Sequence, residues 1–131
     1  MVGVEPGVSA CVLASMEAGK LVSIPGPHDS IMAGLNCGTP SVVAWPLVSR
    51  GFDAYVAVAD ERARQGMRAL ARVDVVSGET GAAGIACLLE LLDDQDPRAR
   101  LGIDESTTAL VLSTEGATDP AAYEAIVGER P

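Results

Sequence analysis

Two short stretches gather glycine, hydroxyl and carboxylate groups in a way that could grip a ligand. They are Ser77-Gly78-Glu79-Thr80-Gly81-Ala82-Ala83-Gly84 and Ser113-Thr114-Glu115-Gly116. The first places small residues and main-chain N–H groups at the start of an apolar helix, which suits an anion or a flat ring approaching the backbone. The same Gly/Ala run also serves close helix–sheet packing, and its spacing matches neither a P-loop nor a dinucleotide fingerprint. In the second stretch a hydroxyl follows an apolar segment. Ser113 or Thr114 can exchange a hydrogen bond with an uncharged ring nitrogen, or can satisfy its own turn.

Other reactive side chains are isolated. His28 is the only histidine and stands beside Asp29, but no serine or cysteine nucleophile motif accompanies it, so a solvated loop histidine is expected. Lys20 is the only lysine. It follows Gly19 in an apparent turn, where nothing would hold its amine neutral for Schiff-base chemistry. Cys11, Cys37 and Cys87 are widely spaced, with neither metal-ligand nor disulfide spacing. They read as small buried residues in a reducing, cytoplasmic compartment. No residue is therefore assigned a catalytic role, and none a metal.

The elements that must position these groups alternate. Met1 to Val4 reads as a strand, and its abrupt start suggests a chain cut from something longer. Ser9 is expected to cap a helix that Gly19 ends. Lys20 to Ile24 could be a strand, broken by Pro25-Gly26-Pro27, and His28 to Thr39 resists assignment. A helix follows over Ser41 to Ser49, then a buried strand over Asp53 to Val58 and a helix from Asp60 to Arg72. Val73 to Val76 is short and apolar. Ala82 to Leu92 should be a helix buried on most faces, Asp93 to Arg100 a polar loop, and Ala109 to Leu112 the last buried strand. Asp119 caps a final helix with Pro120 in its first turn. Strand and helix in alternation predict an α/β fold with parallel-sheet layers and flanking helices, one domain over 1–131. Such sheets hold ligands at the carboxyl ends of their strands, where both hydroxyl-rich stretches fall.

Composition narrows the partners. The chain has 131 residues, 48% of them hydrophobic, enough for one core built mainly from Ala, Val and Leu. Nine Lys plus Arg against eighteen Asp plus Glu give a formal charge of -9, which argues against nucleic acid. No basic leader precedes an apolar run, and no apolar stretch approaches membrane-spanning length, so no membrane partner is expected.

Taken in order, VGVEP, ACVLASMEAGK, GPHDSIMAGLNCGTPS, FDAYVAVADERARQGMRAL, VVSGETGAAG and LVLSTEGATDPAAY resemble the C-terminal part of the diaminopropionate ammonia-lyase family. IMAGLNCG and LSTEG are its specific segments. The wider fold-type II group of pyridoxal-phosphate enzymes, including threonine dehydratase, is similar in outline, but threonine dehydratases tend to carry Asp where this chain has Ala33.

The resemblance implies a partial fold-type II (tryptophan synthase β-like) large domain, pyridoxal phosphate as cofactor, and elimination of ammonia from 2,3-diaminopropionate to give pyruvate. Ser113 matches the hydroxyl facing the pyridine nitrogen, with Thr114 its neighbour and rival; Glu79 and Thr80 match the segment behind the ring. Gly34, Leu35, Asn36, Cys37 and Gly38 match a loop bordering the small amino-acid substrate. Glu5 matches the first carboxylate of a cation site in racemase relatives, but Cys11 stands where they carry a second acid. The Schiff-base lysine and the glycine-rich phosphate cradle of the family lie upstream and match nothing here. A chain of this kind is expected to need an N-terminal segment of the same enzyme, to be inactive alone, and to form a homo-oligomer such as a dimer. The alternatives are a non-catalytic oligomerising or ligand-binding module of this fold, or part of a threonine dehydratase-like enzyme.

Overall fold

The computed structural model describes residues 1–131 and divides into two compact units, Met1–Asp60 and Glu61–Pro131. In the first unit, strands β1 (Val2–Pro6) and β2 (Ala54–Val58) pair in parallel, in register from Val2 opposite Ala54 to Pro6 opposite Val58. A parallel pair requires a crossover, and helix α1 (Cys11–Ala18) supplies it, packing on both strands. Gly19 ends α1 in the left-handed region, at φ 65°. Helix α2 (Trp45–Gly51) carries Pro46 in its first turn, where the lost N–H is not needed. Its Val48 carbonyl accepts a 2.8 Å bond from the Tyr55 hydroxyl, and the Tyr55 ring stacks on Phe52.

The second unit is helical. It holds α3 (Asp60–Ala71, entering from the last residue of the first unit), α4 (Ala83–Asp93), α5 (Gln95–Arg100) and α6 (Pro120–Val127). Met67, Ala82 and Tyr123 form its buried centre, flanked by Leu70, Ile85, Ala117, Ile126 and Val127. Arg62 ties α3 to α4 through Glu90 (2.6 Å) and Asp93 (2.7 Å), a solvent-screened network that adds little to stability. Asp119 caps α6, accepting from the Ala121 and Ala122 amides at 3.0 Å, as its sequence neighbourhood predicts.

Five expectations are corrected. Lys20 to Ile24, Val73 to Val76 and Ala109 to Leu112 are not strands, because β1 and β2 are the only ladder and none of the three has a paired neighbour. The last is not buried either: Leu110 is 88% and Leu112 71% exposed. The loop expected from Asp93 to Arg100 contains α5, capped by Asp94 at the Asp96 amide, with Pro97 tolerated in its first turn. Ser9 does not cap α1. Glu5 does, with both carboxylate oxygens on the amides of Val12 (2.9 Å) and Leu13 (2.8 Å). No helix is long and apolar enough to cross a membrane.

Candidate functional site

In the second unit, the two hydroxyl-rich stretches meet. Ser77 is fully buried and its Oγ lies 2.9 Å from Oγ of Ser113, which is exposed. The two stretches touch backbone to backbone: the Gly78 amide donates to the Glu115 carbonyl at 3.1 Å. Glycine is what permits this. A Cβ on Gly78 would overlap the Gly116 carbonyl oxygen, and one on Gly81 would overlap the Glu115 oxygen and sit 2.6 Å from Ser77 Oγ. Ser77 also lies within 3.3 Å and 3.4 Å of the Gly78 and Glu115 carbonyls, so its single proton has three acceptors to choose from.

Around this pair, Thr114 is exposed and Glu79 and Thr80 are half-buried, with the Thr80 carbonyl accepting from the Ala83 amide at 3.2 Å. Glu115 turns back to its own loop, accepting from the Thr118 hydroxyl at 2.8 Å. Where the two stretches join, the reachable group is therefore a neutral hydroxyl backed by a second hydroxyl. That donor set fits the uncharged pyridine nitrogen of pyridoxal phosphate. Ser77 is the residue that sequence reasoning undervalued. Its signal was present: like Ser113, it is the first hydroxyl after a short apolar run.

In the first unit, the loop expected to border substrate is held from several sides. Asn36 accepts from the Ser30 amide through Oδ1 (3.2 Å) and donates to the Ser30 carbonyl through Nδ2 (2.7 Å). The Ser9 hydroxyl reaches the same Oδ1 at 3.4 Å and the Leu35 carbonyl at 3.2 Å. Asp60, at the start of α3, accepts from the Ser30 hydroxyl (2.5 Å) and the Ile31 amide (3.2 Å). Ser9 and Asp60 carry no motif that would single them out, since these partners are 26 to 30 residues away in sequence.

The rest of that loop is compact. Leu35 is half-buried and Gly34 is exposed. Cys37 is exposed, contrary to expectation, and its thiol donates to the Thr39 carbonyl at 2.9 Å. His28 is half-buried and donates through Nδ1 to the Val8 carbonyl at 3.3 Å, so it is not merely solvated. Its Nε2 occupies the space a Cβ on Gly38 would need. Cys11 is buried; burial, then the Glu5 charge and the nearby Cys37 thiol, push it up to about 11. Lys20 is exposed just beyond α1. Glu5, engaged by two helix amides, belongs to no cluster of three metal-ligating side chains.

Comparison with known proteins identifies the family of the chain. Residues 1–114 match the pyridoxal-phosphate dependent enzyme family. Diaminopropionate ammonia-lyase of Salmonella typhimurium is 37% identical over 95% of this chain and 33% of its own length. The Escherichia coli enzyme is 32% identical over 96% of this chain and 34% of its own. The crystal structure of the E. coli enzyme in complex with D-serine superposes with a TM-score of 0.83 at 28% identity, covering 96% of this chain and 33% of that one. Maize serine racemase shares the fold, with a TM-score of 0.76 at 22% identity over 92% and 36% of the two chains. The chain thus spans about a third of the curated relatives it matches. A match over most of its length, and a shared fold-type II architecture, mean that the chain belongs to the pyridoxal-phosphate dependent enzyme family.

Proposed function

We propose that the chain, as one domain, is the C-terminal portion of an ammonia-lyase that releases ammonia from 2,3-diaminopropionate to give pyruvate. The single observation that carries this reading is the Ser77–Ser113 hydroxyl pair, held between two glycine-lined main-chain turns. Pyridoxal phosphate, when bound, supplies an electron sink for charge developing at the substrate α-carbon. Ser113 would donate its proton to the pyridine nitrogen, which requires Ser77 to turn its own proton onto Ser113 Oγ. A neutral partner leaves that nitrogen without a proton and tempers the sink, sufficient where the β-substituent departs readily. Glu79 and Thr80 would stand behind the ring, with Thr114 beside Ser113.

The loop Gly34, Leu35, Asn36, Cys37 and Gly38 would border the amino-acid substrate. With the Asn36 carboxamide engaged by Ser30, contact there would fall to the loop's main chain. The sole lysine, Lys20, is exposed beyond α1. The catalytic lysine would come from an N-terminal segment of the enzyme, leaving this chain inactive alone. A cytoplasmic homo-oligomer, a dimer, completes the proposal.

The test joins the upstream two thirds of the Salmonella typhimurium enzyme to this chain and measures pyruvate and ammonia formed from 2,3-diaminopropionate with pyridoxal phosphate. Activity is expected, reduced at least tenfold by Ser113→Ala, the cost of one hydrogen bond near a reacting system. The isolated chain, treated with pyridoxal phosphate and borohydride, should carry no adduct. A stoichiometric adduct on Lys20, or a folded fusion with bound cofactor and no lyase activity, would overturn the proposal.

A further inference from the structure

The carboxyl ends of the two paired strands carry polar side chains that hold one loop. Ser9 comes soon after β1 and Asp60 soon after β2, and because the strands are parallel both lie at the same end of the ladder. Both reach the segment from Ser30 to Cys37, whose regular structure is a single 3₁₀ turn over Ala33–Leu35. Ligands of parallel α/β folds gather at this end of the strands.

The holding groups form a continuous chain of bonds. Asp60 accepts from the Ser30 hydroxyl at 2.5 Å and from the Ile31 amide at 3.2 Å. The same Ser30 hydroxyl accepts from the Met32 amide at 3.1 Å. The Ser30 main chain is bonded to both ends of the Asn36 carboxamide, and the Ser9 hydroxyl reaches Asn36 Oδ1 and the Leu35 carbonyl. Ser9 and Ser30 are buried, whereas Ala33, Gly34 and Cys37 are exposed. The anchor is inside and the tip of the loop is outside. Asp60 is the charged member of this chain, and a hydroxyl bonded to a carboxylate is held more firmly than one bonded to a neutral acceptor.

A network of this kind is a costly way to stabilise a fold, since apolar side chains could fill the same space without desolvating a carboxylate. What it provides is one conformation for a segment with little secondary structure to fix it. A loop already held in place costs less to order when a ligand arrives. We infer that Asp60 is a positioning residue for the substrate-bordering loop, acting through Ser30 and Asn36 to hold Gly34 to Gly38 in the conformation that receives the amino acid. Ser9 completes the hold from the β1 side. Because Asp60 acts through other residues, its loss falls on substrate binding and not on the chemical step. The inference rests on the reading of this chain as part of an ammonia-lyase.

The experiment compares Asp60→Ala and Ser30→Ala with the parent, the second variant serving if the first, at the start of α3, unfolds the chain. Hydrogen exchange in the chain is followed at the Leu35, Asn36 and Cys37 amides, which bond within the loop. Both variants should speed these amides roughly tenfold and leave the α1 amides within about threefold of the parent. The same variants are then made in the fusion with the upstream two thirds of the Salmonella typhimurium enzyme. There the bound cofactor should equal the parent's, KM for 2,3-diaminopropionate should rise about tenfold, and kcat should change by less than about threefold. Loop amides that keep the parent's rate in Ser30→Ala would overturn the inference. So would loop and α1 amides that speed up alike, which would make the network a general stabiliser, or a fall in kcat at unchanged KM. An active parent fusion whose variants keep its KM sinks the positioning role alone; an inactive parent fusion with bound cofactor sinks the lyase reading and this role with it.

Discussion

Asn36 clamps Ser30 from both sides, its Oδ1 on the Ser30 amide and its Nδ2 on the Ser30 carbonyl. A carboxamide is the one side-chain group of this size with both a donor and an acceptor at fixed spacing, so it copies a strand neighbour and closes the loop on itself. Asn36→Ala removes both bonds and leaves two part-buried main-chain groups unpaired. The expected loss is about 2 kcal/mol, read as a lower urea midpoint with unchanged slope. Asn36→Asp keeps one acceptor but sets a carboxylate oxygen against the Ser30 carbonyl, and should cost at least as much. A stability unchanged by either would show that the clamp does not persist in solution.

The first turn of α1 is capped from outside the helix, by Glu5 at the end of β1. Two charge-assisted bonds to Val12 and Leu13 fix where β1 turns into α1, and the carboxylate also meets the positive end of the helix. Glu5→Ala should lower stability by about 2 kcal/mol, and Glu5→Gln, with one acceptor left, by about half of that. Because both oxygens are engaged, millimolar Mg²⁺ should not raise the melting temperature. A clear rise that Glu5→Ala abolishes would mean that a cation, not the helix amides, is the partner of this carboxylate.

These two groups also show where sequence reading runs out. Asp119 with Pro120 signals a helix start within three residues, and the structure has it there. Asp53 to Val58 and Asp60 to Arg72 were legible for the same reason, with ends displaced by one residue from β2 and α3. Glu5 acts seven and eight residues away and Ser30 thirty, and nothing local announces them. The apolar runs at 20–24, 73–76 and 109–112 state a tendency to be buried. Whether a strand forms depends on a neighbour to pair with, which no single run encodes. At the candidate site the glycines and hydroxyls were legible as a group, whereas the 2.9 Å meeting of Ser77 with Ser113, 36 residues apart, was not.

The Ser77–Ser113 pair lends itself to a double-mutant cycle. Ser77→Ala removes a buried hydroxyl with three neighbouring acceptors and should cost about 1–2 kcal/mol. Ser113→Ala, at an exposed position, should cost less, because Ser77 can still donate to the Gly78 or Glu115 carbonyl. The coupling between them is expected at about 0.5–1 kcal/mol in urea unfolding. A coupling of zero would place the two hydroxyls apart in solution and remove the support for a shared ring contact.

The cysteines give a pH test with a definite sign. Burial, ahead of the Glu90 charge, pushes Cys87 up to about 11, and burial, ahead of Glu5 and Cys37, does the same to Cys11. At pH 8 a thiol of that kind is thiolate in only about one molecule per thousand, so neither should react with a disulfide reagent in the folded chain. Cys37 is exposed and should give a single fast phase that Cys37→Ser removes. Below pH 9, where an ordinary thiol holds its proton, folded and unfolded chains are alike and the stabilising difference is fully present. Between pH 9 and 11 the unfolded thiols ionise while the folded ones do not, so each rise in pH favours unfolding. Tyr55, raised by burial and then by Glu5, adds to the same trend. The urea midpoint should therefore fall from pH 9 to pH 11, and Cys87→Ala should flatten the fall relative to its own value at pH 8. A midpoint that holds level across this window would show that the two buried thiols are open to solvent in the folded chain.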